Sequence, residues 1–328
     1  MEPSMSMSLG QNESMTGRFA PSPTGELHLG NLRTAVVAWL AARADGRRFL
    51  VRMEDLDLAQ ASPEHEAAQL RDLAHLGIDW DGEVVRQSAR FHIYDEAIDQ
   101  LTAAGLVYEC YCSRRDIRRE IEASTRAPHG PPGSYPGTCR DLTDQERADR
   151  REATGRRPAL RLRTNGEHFD FVDQLVGPST GEVDDVVLRR NDGVPAYNLA
   201  VVIDDGLQGV TQVVRGDDLL PSTPRQLLLQ QLLGIDAPSY LHVPLVFGPD
   251  GERLAKSHGA TTLRELRESG TDAGEVVRWI ARSLGLTGPS ERLVLDELVG
   301  RFDPAALPRT ACTAPDFIDA VRVSRDFI

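Results

Sequence analysis

The order of apolar and polar positions in the first part of the chain predicts a strand, a helix and a second strand. The segment Gly17 to Pro21 is a short strand candidate and leads into a loop rich in proline and glycine. Asn31 is the expected N-cap of the next helix, and Gly46 is its expected C-terminal stop. The run RRFLVRMED then has the pattern of a second strand, so that a β-α-β unit is predicted. The apolar face of the predicted helix carries Leu32, Ala35, Val36, Trp39 and Leu40.

Two further helices are indicated by the residues at their ends. One begins at Ser62 and Pro63 and stops at Gly77. The other covers about residues 91–104 and stops at Gly105.

The chain changes character over residues 109–189, which we interpret as an insertion. Its segment Ser124 to Gly137 is rich in proline and glycine and is not expected to form regular structure. A helix with Ser222 as N-cap and Pro224 in its first turn follows later, and the part from about residue 260 has a helical, polar pattern. The apolar runs of the β type between and around these segments are DVVLRR, LAVVIDD, TQVVRG and YLHVPLVFG. This order predicts a parallel sheet that resumes after the insertion.

The charge of the chain neither demands nor excludes an RNA partner. The formal net charge of −13 argues weakly against nucleic acid, because phosphate binding favours a basic face. The distribution of charge matters more than its sum. Seven arginines lie between Arg147 and Arg163, and four more lie within residues 114–119. Such runs are either solvated helix faces or phosphate contacts.

The chain has no run of 18 apolar residues, so no transmembrane helix and no membrane partner are expected. Residues 1–15 have neither the charged start nor the apolar centre of a secretory signal, and they are predicted to be a disordered tail. The expected compartment is therefore the cytoplasm.

The segment from Arg18 to Asn31, RFAPSPTGELHLGN, is the first candidate for chemistry. A glycine-bearing loop between a strand and a helix N-terminus suits a nucleotide, because the helix end offers free N–H groups and a positive dipole. His28 precedes the helix start, where its ring either donates a hydrogen bond to a phosphate oxygen in a transition state or caps the helix. Gly30 would let adenine approach the backbone closely.

A second loop, GPDGERLAKSHGA, starts at Gly248. The 37 basic residues of the chain are 36 arginines and one lysine, and that lysine, Lys256, lies in this loop. A mobile loop with one compact cation could close over a triphosphate and stabilise charge as pyrophosphate leaves.

Together the two segments resemble the signatures of class I aminoacyl-tRNA synthetases, usually written HIGH and KMSKS. His28 to Asn31 matches the first, and Arg253 to Ser257 matches the second, with Lys256 at the position of its last lysine. The phrase RFAPSPTGELHLG is similar to the glutamyl branch of the family, as are RMEDLD, WDGEVVRQS, PAYNLAVVIDD and VVRGDDLLPSTPRQ.

The resemblance implies a glutamate pocket, with ATP and Mg²⁺ beside it. Arg18 and Arg215 would pair with the substrate carboxylates, because a guanidinium fork fits a carboxylate. Glu54 would take the α-ammonium, and Ser22 and Tyr197 would fix the orientation. The complete implied glutamate set is Arg18, Phe19, Ala20, Pro21, Ser22, Glu54, Tyr197 and Arg215. The implied ATP set is Thr24, His28, Gly30 and Lys256, of which the last three would be catalytic.

Three of the four cysteines, Cys110, Cys112 and Cys139, lie within thirty residues and suggest metal before disulfide. Zinc prefers four tetrahedral ligands, so one position remains open. His129 is the ordinary chemical candidate. The spacing C-x-C…Y-x-x-x-C also resembles a smaller family, the glutamyl-queuosine tRNA(Asp) synthetases, in which the tyrosine, here Tyr135, is the fourth ligand. The zinc would be structural.

Membership of this smaller family would imply ATP-dependent formation of glutamyl-adenylate without tRNA. Glutamate would then pass to queuosine in the anticodon loop of tRNA(Asp). Two alternatives are a truncated enzyme that charges tRNA(Glu) and a synthetase paralogue without activity. Because the chain ends at Ile328, we expect no anticodon-binding domain.

The predicted fold class is α/β. A Rossmann-type parallel-sheet catalytic domain is expected in two halves, residues 16–108 and 190–260. Residues 109–189 are the expected zinc-binding insertion, and residues 261–328 the expected helical C-terminal part.

Overall fold

The computed structural model describes residues 15–123, 134–248, 254, 262–287 and 293–315. Its strands are β1 (Thr16–Phe19), β2 (Arg48–Met53), β3 (Val85–Arg86), β4 (Val107–Cys110), β5 (Ala159–Leu162), β6 (His168–Asp173), β7 (Gly177–Glu182), β8 (Val187–Arg189), β9 (Val210–Gly216), β10 (Ser239–Val243), β11 (Val246–Phe247) and β12 (Cys312–Thr313). Its α-helices are α1 (Leu29–Ala44), α2 (Pro63–His75), α3 (Phe91–Ala103), α4 (Arg114–Ala123), α5 (Asp144–Thr154), α6 (Tyr197–Leu207), α7 (Thr223–Leu233), α8 (Leu263–Glu268) and α9 (Ala273–Ser283). Short 3₁₀ helices are Gln87–Arg90, Asp217–Ser222, Leu295–Arg301 and Pro304–Ala306.

The described strands build a main sheet of seven in the order β3-β2-β1-β9-β10-β6-β7. Its pairs are parallel except for the antiparallel pair β6–β7. The predicted α/β fold with a parallel sheet is thus confirmed. Strand β1 lies between β2 and β9, so the strand order reverses at β1. Ligands of open α/β sheets bind at the carboxyl ends of strands at such a switch point.

Helix α1 ends as predicted but begins differently. Gly46 follows its C-cap with a φ of 64°, a left-handed conformation that favours glycine. The prediction of Asn31 as N-cap is wrong, because the cap is His28, whose ring accepts from the N–H groups of Gly30 and Asn31. Asn31 instead closes a capping box by accepting the N–H of His28. Sequence rules miss this start because histidine is not among the usual N-cap residues.

The run LAVVIDD was predicted as a strand, but it lies in helix α6. Residues Leu199 to Asp205 are all buried, so this helix has no polar stripe that would reveal its period. A short apolar run cannot be assigned to a strand or a buried helix by periodicity alone.

The region 109–189 contributes to two sheets. Strands β4, β5 and β8 form a separate antiparallel sheet, so the run DVVLRR is not in the parallel sheet as predicted. The hairpin β6–β7 instead extends the main sheet, where Asp173 is in register with Tyr240 of β10. Strand partners are chosen by tertiary packing, which the local pattern does not encode. Residues 134–137 form no helix or strand, and the rest of the Pro/Gly-rich segment lies outside the described residues.

Two apolar cores hold these elements together. One surrounds α1 and includes β2 residues together with Val276 and Ile280 of α9. The other surrounds α6 and α7 and includes Leu162 and Leu188, so it joins the small sheet to the main one. No helix of the described residues is long and apolar enough to cross a membrane.

Candidate active site

A cavity of about 470 Å³ opens at the carboxyl ends of β1, β2 and β9, at the switch point of the main sheet. Residues at the ends of these strands, and in the loops that follow them, line the cavity because the carboxyl ends of parallel strands lie at the same edge of the sheet. The cavity-lining residues that the sequence singled out are Arg18, Phe19, Ala20, Pro21, Ser22, His28, Gly30, Glu54, Tyr197 and Arg215. Thr24 lies in the same loop without lining the cavity, and Lys256 lies outside the described residues.

The loop between β1 and α1 is held by a residue that sequence reasoning missed. The side-chain amide of Gln69, on α2, donates to the carbonyl of Ser22 at 3.0 Å and to that of Gly25 at 2.7 Å. Gln69 is buried and itself lines the cavity. It therefore sets the path of a loop that has no regular structure of its own.

The ring of His28 caps helix α1, which is one of the two roles that the sequence left open. Its Nδ1 accepts hydrogen bonds from Gly30 N–H at 3.1 Å and Asn31 N–H at 3.3 Å. A nitrogen that accepts carries no proton, so the proton of the neutral ring is on Nε2. The helix cap thus fixes the tautomer that presents Nε2–H as a donor beside the cavity.

Gly30 has a steric reason to be glycine. A Cβ at this position would lie 3.0 Å from Cε1 and 3.1 Å from Nδ1 of the His28 ring. The bare Cα therefore leaves room for the ring to lie over the first turn of α1.

A buried ion-pair cluster lies next to the cavity and reaches it through Arg18 and Glu54. Asp205 lies 3.2 Å from Arg18 Nε and 2.8 Å from Arg52 Nη2, and the Arg52 side chain is fully buried. Burial works to raise the pKa of Asp205, but Arg18 and Arg52 hold it below its usual range. Asp205 therefore orients Arg18, whose Nη1 also donates to the carbonyl of Val214 at 3.4 Å.

Glu54 and Tyr197 face the same space with opposite hydrogen-bonding character. Burial raises the pKa of Glu54, although Arg52, 3.4 Å away, works to lower it. The negative charge of an ionised Glu54 is thus only partly balanced by Arg52, so a positively charged group of a ligand would stabilise it. Burial, and then the charge of Glu54, raises the pKa of Tyr197, so its phenol stays protonated and can donate.

Arg215, at the end of β9, is held by uncharged acceptors. Its Nε lies 2.9 Å from His242 Nε2, its Nη1 2.7 Å from Gln226 Oε1 and its Nη2 2.8 Å from Thr223 Oγ1. Arg215 is buried, 5% exposed, and lines the cavity. Because Arg18 and Arg215 both line the cavity, their guanidinium groups make it suited to an anionic ligand.

The described ends of the lysine loop reach the same cavity. Leu254, two residues before Lys256 in the sequence, lines the cavity, and its N–H donates to the carbonyl of Val246 at 3.2 Å. Thr262, beyond the loop, forms a β-bridge with His28. The described residue of the second signature segment, Leu254, therefore lines the same cavity as His28 and Gly30 of the first.

A thiol cluster lies apart from the cavity, in the small sheet and the segment beside it. Sγ atoms of Cys110, Cys112 and Cys139 lie within 4.8 Å of one another. The Tyr135 hydroxyl lies 3.4 Å from Cys110 Sγ and 3.7 Å from Cys112 Sγ. Hydrogen bonds from Cys112 and then Cys139 lower the pKa of the Cys110 thiol.

This donor set fits zinc. Tetrahedral thiolates about 2.3 Å from zinc are roughly 3.8 Å from each other, and Cys112 Sγ lies 3.6 Å from Cys139 Sγ. The Arg161 guanidinium stacks 3.8 Å from the Tyr135 ring, so a cation offsets the negative charge that such a cluster collects. The described residues are thus consistent with a zinc site, whereas His129 lies outside them.

Several arginines of the two clusters that the sequence left open as solvated faces or phosphate contacts have acidic partners. Arg163 lies 2.7 Å from Asp141, Arg151 lies 3.2 Å from Glu109, and Arg147 pairs with its helix neighbour Asp144. Such exposed pairs are weak, so these side chains can still exchange their partners for phosphate.

The comparisons with known proteins agree on one family. Residues 14–303 match the model for tRNA synthetases class I (E and Q), catalytic domain. The chain is 59% identical to a glutamyl-Q tRNA(Asp) synthetase of Nocardia farcinica, over 89% of this chain and 91% of that protein. It is 42% identical to a glutamate–tRNA ligase of Oleidesulfovibrio alaskensis, over 90% of this chain and 62% of that one. The crystal structure of a glutamate tRNA ligase from Elizabethkingia meningosepticum in complex with its amino acid superposes with a TM-score of 0.77 at 26% identity, covering 95% of this chain and 68% of that one.

Proposed function

Because this chain belongs to the class I tRNA synthetases of the E and Q type, we propose that it activates glutamate with ATP and transfers it to queuosine in tRNA(Asp). The observation that carries this function is the 59% identity to a glutamyl-Q tRNA(Asp) synthetase along nearly the whole of both chains. The cavity adds a chemical reason, since it brings Arg18, Arg215 and Glu54 together beside the N-terminus of α1.

Glutamate would bind by charge complementarity. Arg18 and Arg215 pair with its two carboxylates, and Glu54 takes the α-ammonium, which relieves the incomplete compensation of its own charge. Ser22 and Tyr197 fix the orientation of the substrate, and Phe19, Ala20 and Pro21 give the walls of the pocket.

ATP would lie at the N-terminus of α1, with its phosphates near Nε2–H of His28 and its adenine near Gly30. Thr24 and Lys256 complete the nucleotide contacts. Mg²⁺ that arrives with ATP would neutralise part of the triphosphate charge. The helix dipole favours the same negative charge without any further group.

The reaction then has two steps. A carboxylate oxygen of glutamate attacks the α-phosphorus, the bond from phosphorus to the bridging oxygen breaks, and pyrophosphate leaves with the electron pair. A hydroxyl of queuosine next attacks the acyl carbon, loses its proton, and displaces AMP. The side chains position the reactants and stabilise charge, so no nucleophilic side chain is required.

The thiol cluster would hold a structural zinc ion through Cys110, Cys112 and Cys139, with Tyr135 as fourth ligand. This ion would tie strand β4 to the segment that contains Tyr135. With it, we propose that residues 109–189 are the zinc-binding insertion, between catalytic halves 16–108 and 190–260 and before the C-terminal part 261–328.

Charging of tRNA(Glu) is the second candidate, since the chain is also 42% identical to a glutamate–tRNA ligase. The test is glutamate-dependent exchange of pyrophosphate into ATP without tRNA, followed by transfer to tRNA(Asp) with queuosine, to tRNA(Asp) without it, and to tRNA(Glu). Exchange together with transfer only to the queuosine form supports the proposal, and transfer only to tRNA(Glu) refutes it. Lys256→Ala should lose exchange while glutamate still binds, and an unchanged exchange rate would exclude the proposed role of Lys256.

A further inference from the structure

Three polar residues form a row across three neighbouring strands of the main sheet and end at the cavity. Arg215 of β9 is in register with His242 of β10, and Asp173 ends β6, the next strand. The side chains of His242 and Asp173 are fully buried. Neither belongs to the residues that line the cavity, and His242 is hydrogen-bonded to Arg215, which does.

The contacts of His242 determine where its proton lies. A guanidinium N–H can only donate, so the 2.9 Å contact with Arg215 Nε requires His242 Nε2 to be an acceptor. Its Nδ1 therefore carries the proton and donates to Asp173 Oδ2 at 2.7 Å. Burial and the positive charge of Arg215 lower the pKa of His242, against the effect of Asp173, so the ring stays neutral.

Arg18 and Arg215 are held in different ways. Arg18 is bonded directly to the carboxylate of Asp205, which neutralises part of its charge. The hydrogen bonds of Arg215 in the described residues go to His242, Gln226, Thr223 and the carbonyl of Leu219, all of them uncharged. A neutral acceptor orients a guanidinium but does not compete with a substrate carboxylate for its charge.

We propose that Asp173 and His242 are positioning residues that determine glutamate affinity through Arg215. Asp173 fixes the tautomer of His242, and His242 Nε2 fixes the plane of the guanidinium while leaving its charge for the substrate. This inference rests on the proposed function, in which Arg215 binds a glutamate carboxylate.

Asp173→Asn tests the tautomer. The new amide would donate to His242 Nδ1, the ring proton would move to Nε2, and Nε2–H would then oppose the N–H of Arg215. We expect the KM for glutamate in pyrophosphate exchange to rise about tenfold, the equivalent of one lost hydrogen bond to a charged group, with the KM for ATP unchanged. ¹⁵N shifts of the His242 ring should show the proton on Nε2 instead of Nδ1.

His242→Gln and His242→Leu form a second, independent comparison. Glutamine can place an acceptor oxygen near the position of Nε2, whereas leucine fills similar space without one. The Gln variant should recover most of the glutamate affinity that the Leu variant loses. Asp185→Asn is the control for burial, because Asp185 is a buried acid that bonds Tyr108 and Thr164, away from the cavity.

The outcomes separate the two proposals. A wild-type protein without glutamate-dependent exchange refutes the proposed function. If the wild type catalyses exchange and a folded Asp173→Asn variant has an unchanged KM for glutamate, the positioning role of Asp173 and His242 is overturned. If Asp173→Asn does not fold, the histidine pair decides, and equal glutamate KM values for Gln and Leu overturn the role.

Discussion

Gly30→Ala should separate the activity of this protein from its stability. The added Cβ would lie 3.0 Å from Cε1 of His28, closer than carbon atoms normally approach, so the ring must move by a few tenths of an ångström. That movement lengthens the two hydrogen bonds that cap helix α1, of which the one from Asn31 N–H to His28 Nδ1 already measures 3.3 Å.

The two stability effects of this substitution nearly cancel. Loss of an N-cap costs about 1 kcal/mol, and replacement of glycine by alanine in a helix returns up to about 1 kcal/mol. The free energy of unfolding should therefore change by less than about 1 kcal/mol, a shift in Tm of only about 2–4 °C. Removal of a hydrogen-bond donor from a transition state costs about 100-fold or more in rate, so displacement of the His28 ring should lower kcat by up to about that factor.

The assay is glutamate-dependent pyrophosphate exchange, with thermal unfolding measured on the same samples. The KM for glutamate should stay near wild type, because Arg18 and Arg215 lie on other elements. Gly274→Ala is the matched control. Gly274 is also the second residue of a helix, α9, and its added Cβ would lie 3.0 Å from Oδ1 of the N-cap Asp272.

Gly274→Ala should therefore have a similar Tm and wild-type exchange. A Gly30→Ala protein with wild-type kcat would refute the assignment of His28 as a donor positioned by its cap. An equal loss of exchange in both variants would refute the argument from local geometry as well.

Two further predictions concern the metal and the pH dependence. Elemental analysis of the purified protein should find about one zinc ion per chain. The substitution Cys139→Ser, or treatment with a chelator, should remove the ion and lower the Tm by several degrees. Loss of zinc with an unchanged Tm would exclude a structural role of the ion. Burial, followed by the charge of Glu26, raises the pKa of Asp72 from 3.8 to about 7. The folded protein then binds an extra proton, so the stability that this group contributes is complete below its unfolded pKa and is lost as the pH rises through about 7. In urea unfolding, Asp72→Asn should stabilise the protein by about 1 kcal/mol more at pH 8 than at pH 5, after allowance for solvent screening. An equal stabilisation at both pH values would contradict the raised pKa of Asp72.

The signature segments could be found from the chain alone because their chemistry is local. The residues of RFAPSPTGELHLG are neighbours in sequence, and the loop between β1 and α1 keeps them neighbours in space. The same holds for Cys110 and Cys112. The glutamate residues Glu54, Tyr197 and Arg215 are far apart in the chain, and they were found through resemblance to a family, not through spacing.

Tertiary structure decided what local patterns could not. The run LAVVIDD lies in a helix whose residues Leu199 to Asp205 are all buried, and this burial removes the exposed polar stripe that normally reveals a helix. Strand β8 belongs to the small sheet, and the hairpin β6–β7 to the main one, because each strand pairs where its side chains pack.

Residue types and their order were enough to determine the family, the parallel sheet and the residues expected at the cavity. Only the folded chain could show that His28, and not Asn31, is the N-cap of α1. It also showed that Asp205 orients Arg18 and that Asp173 is hydrogen-bonded to His242, which contacts Arg215. These contacts join residues up to 187 positions apart. A sequence records such residues without recording their distance, and hydrogen bonds depend on distance.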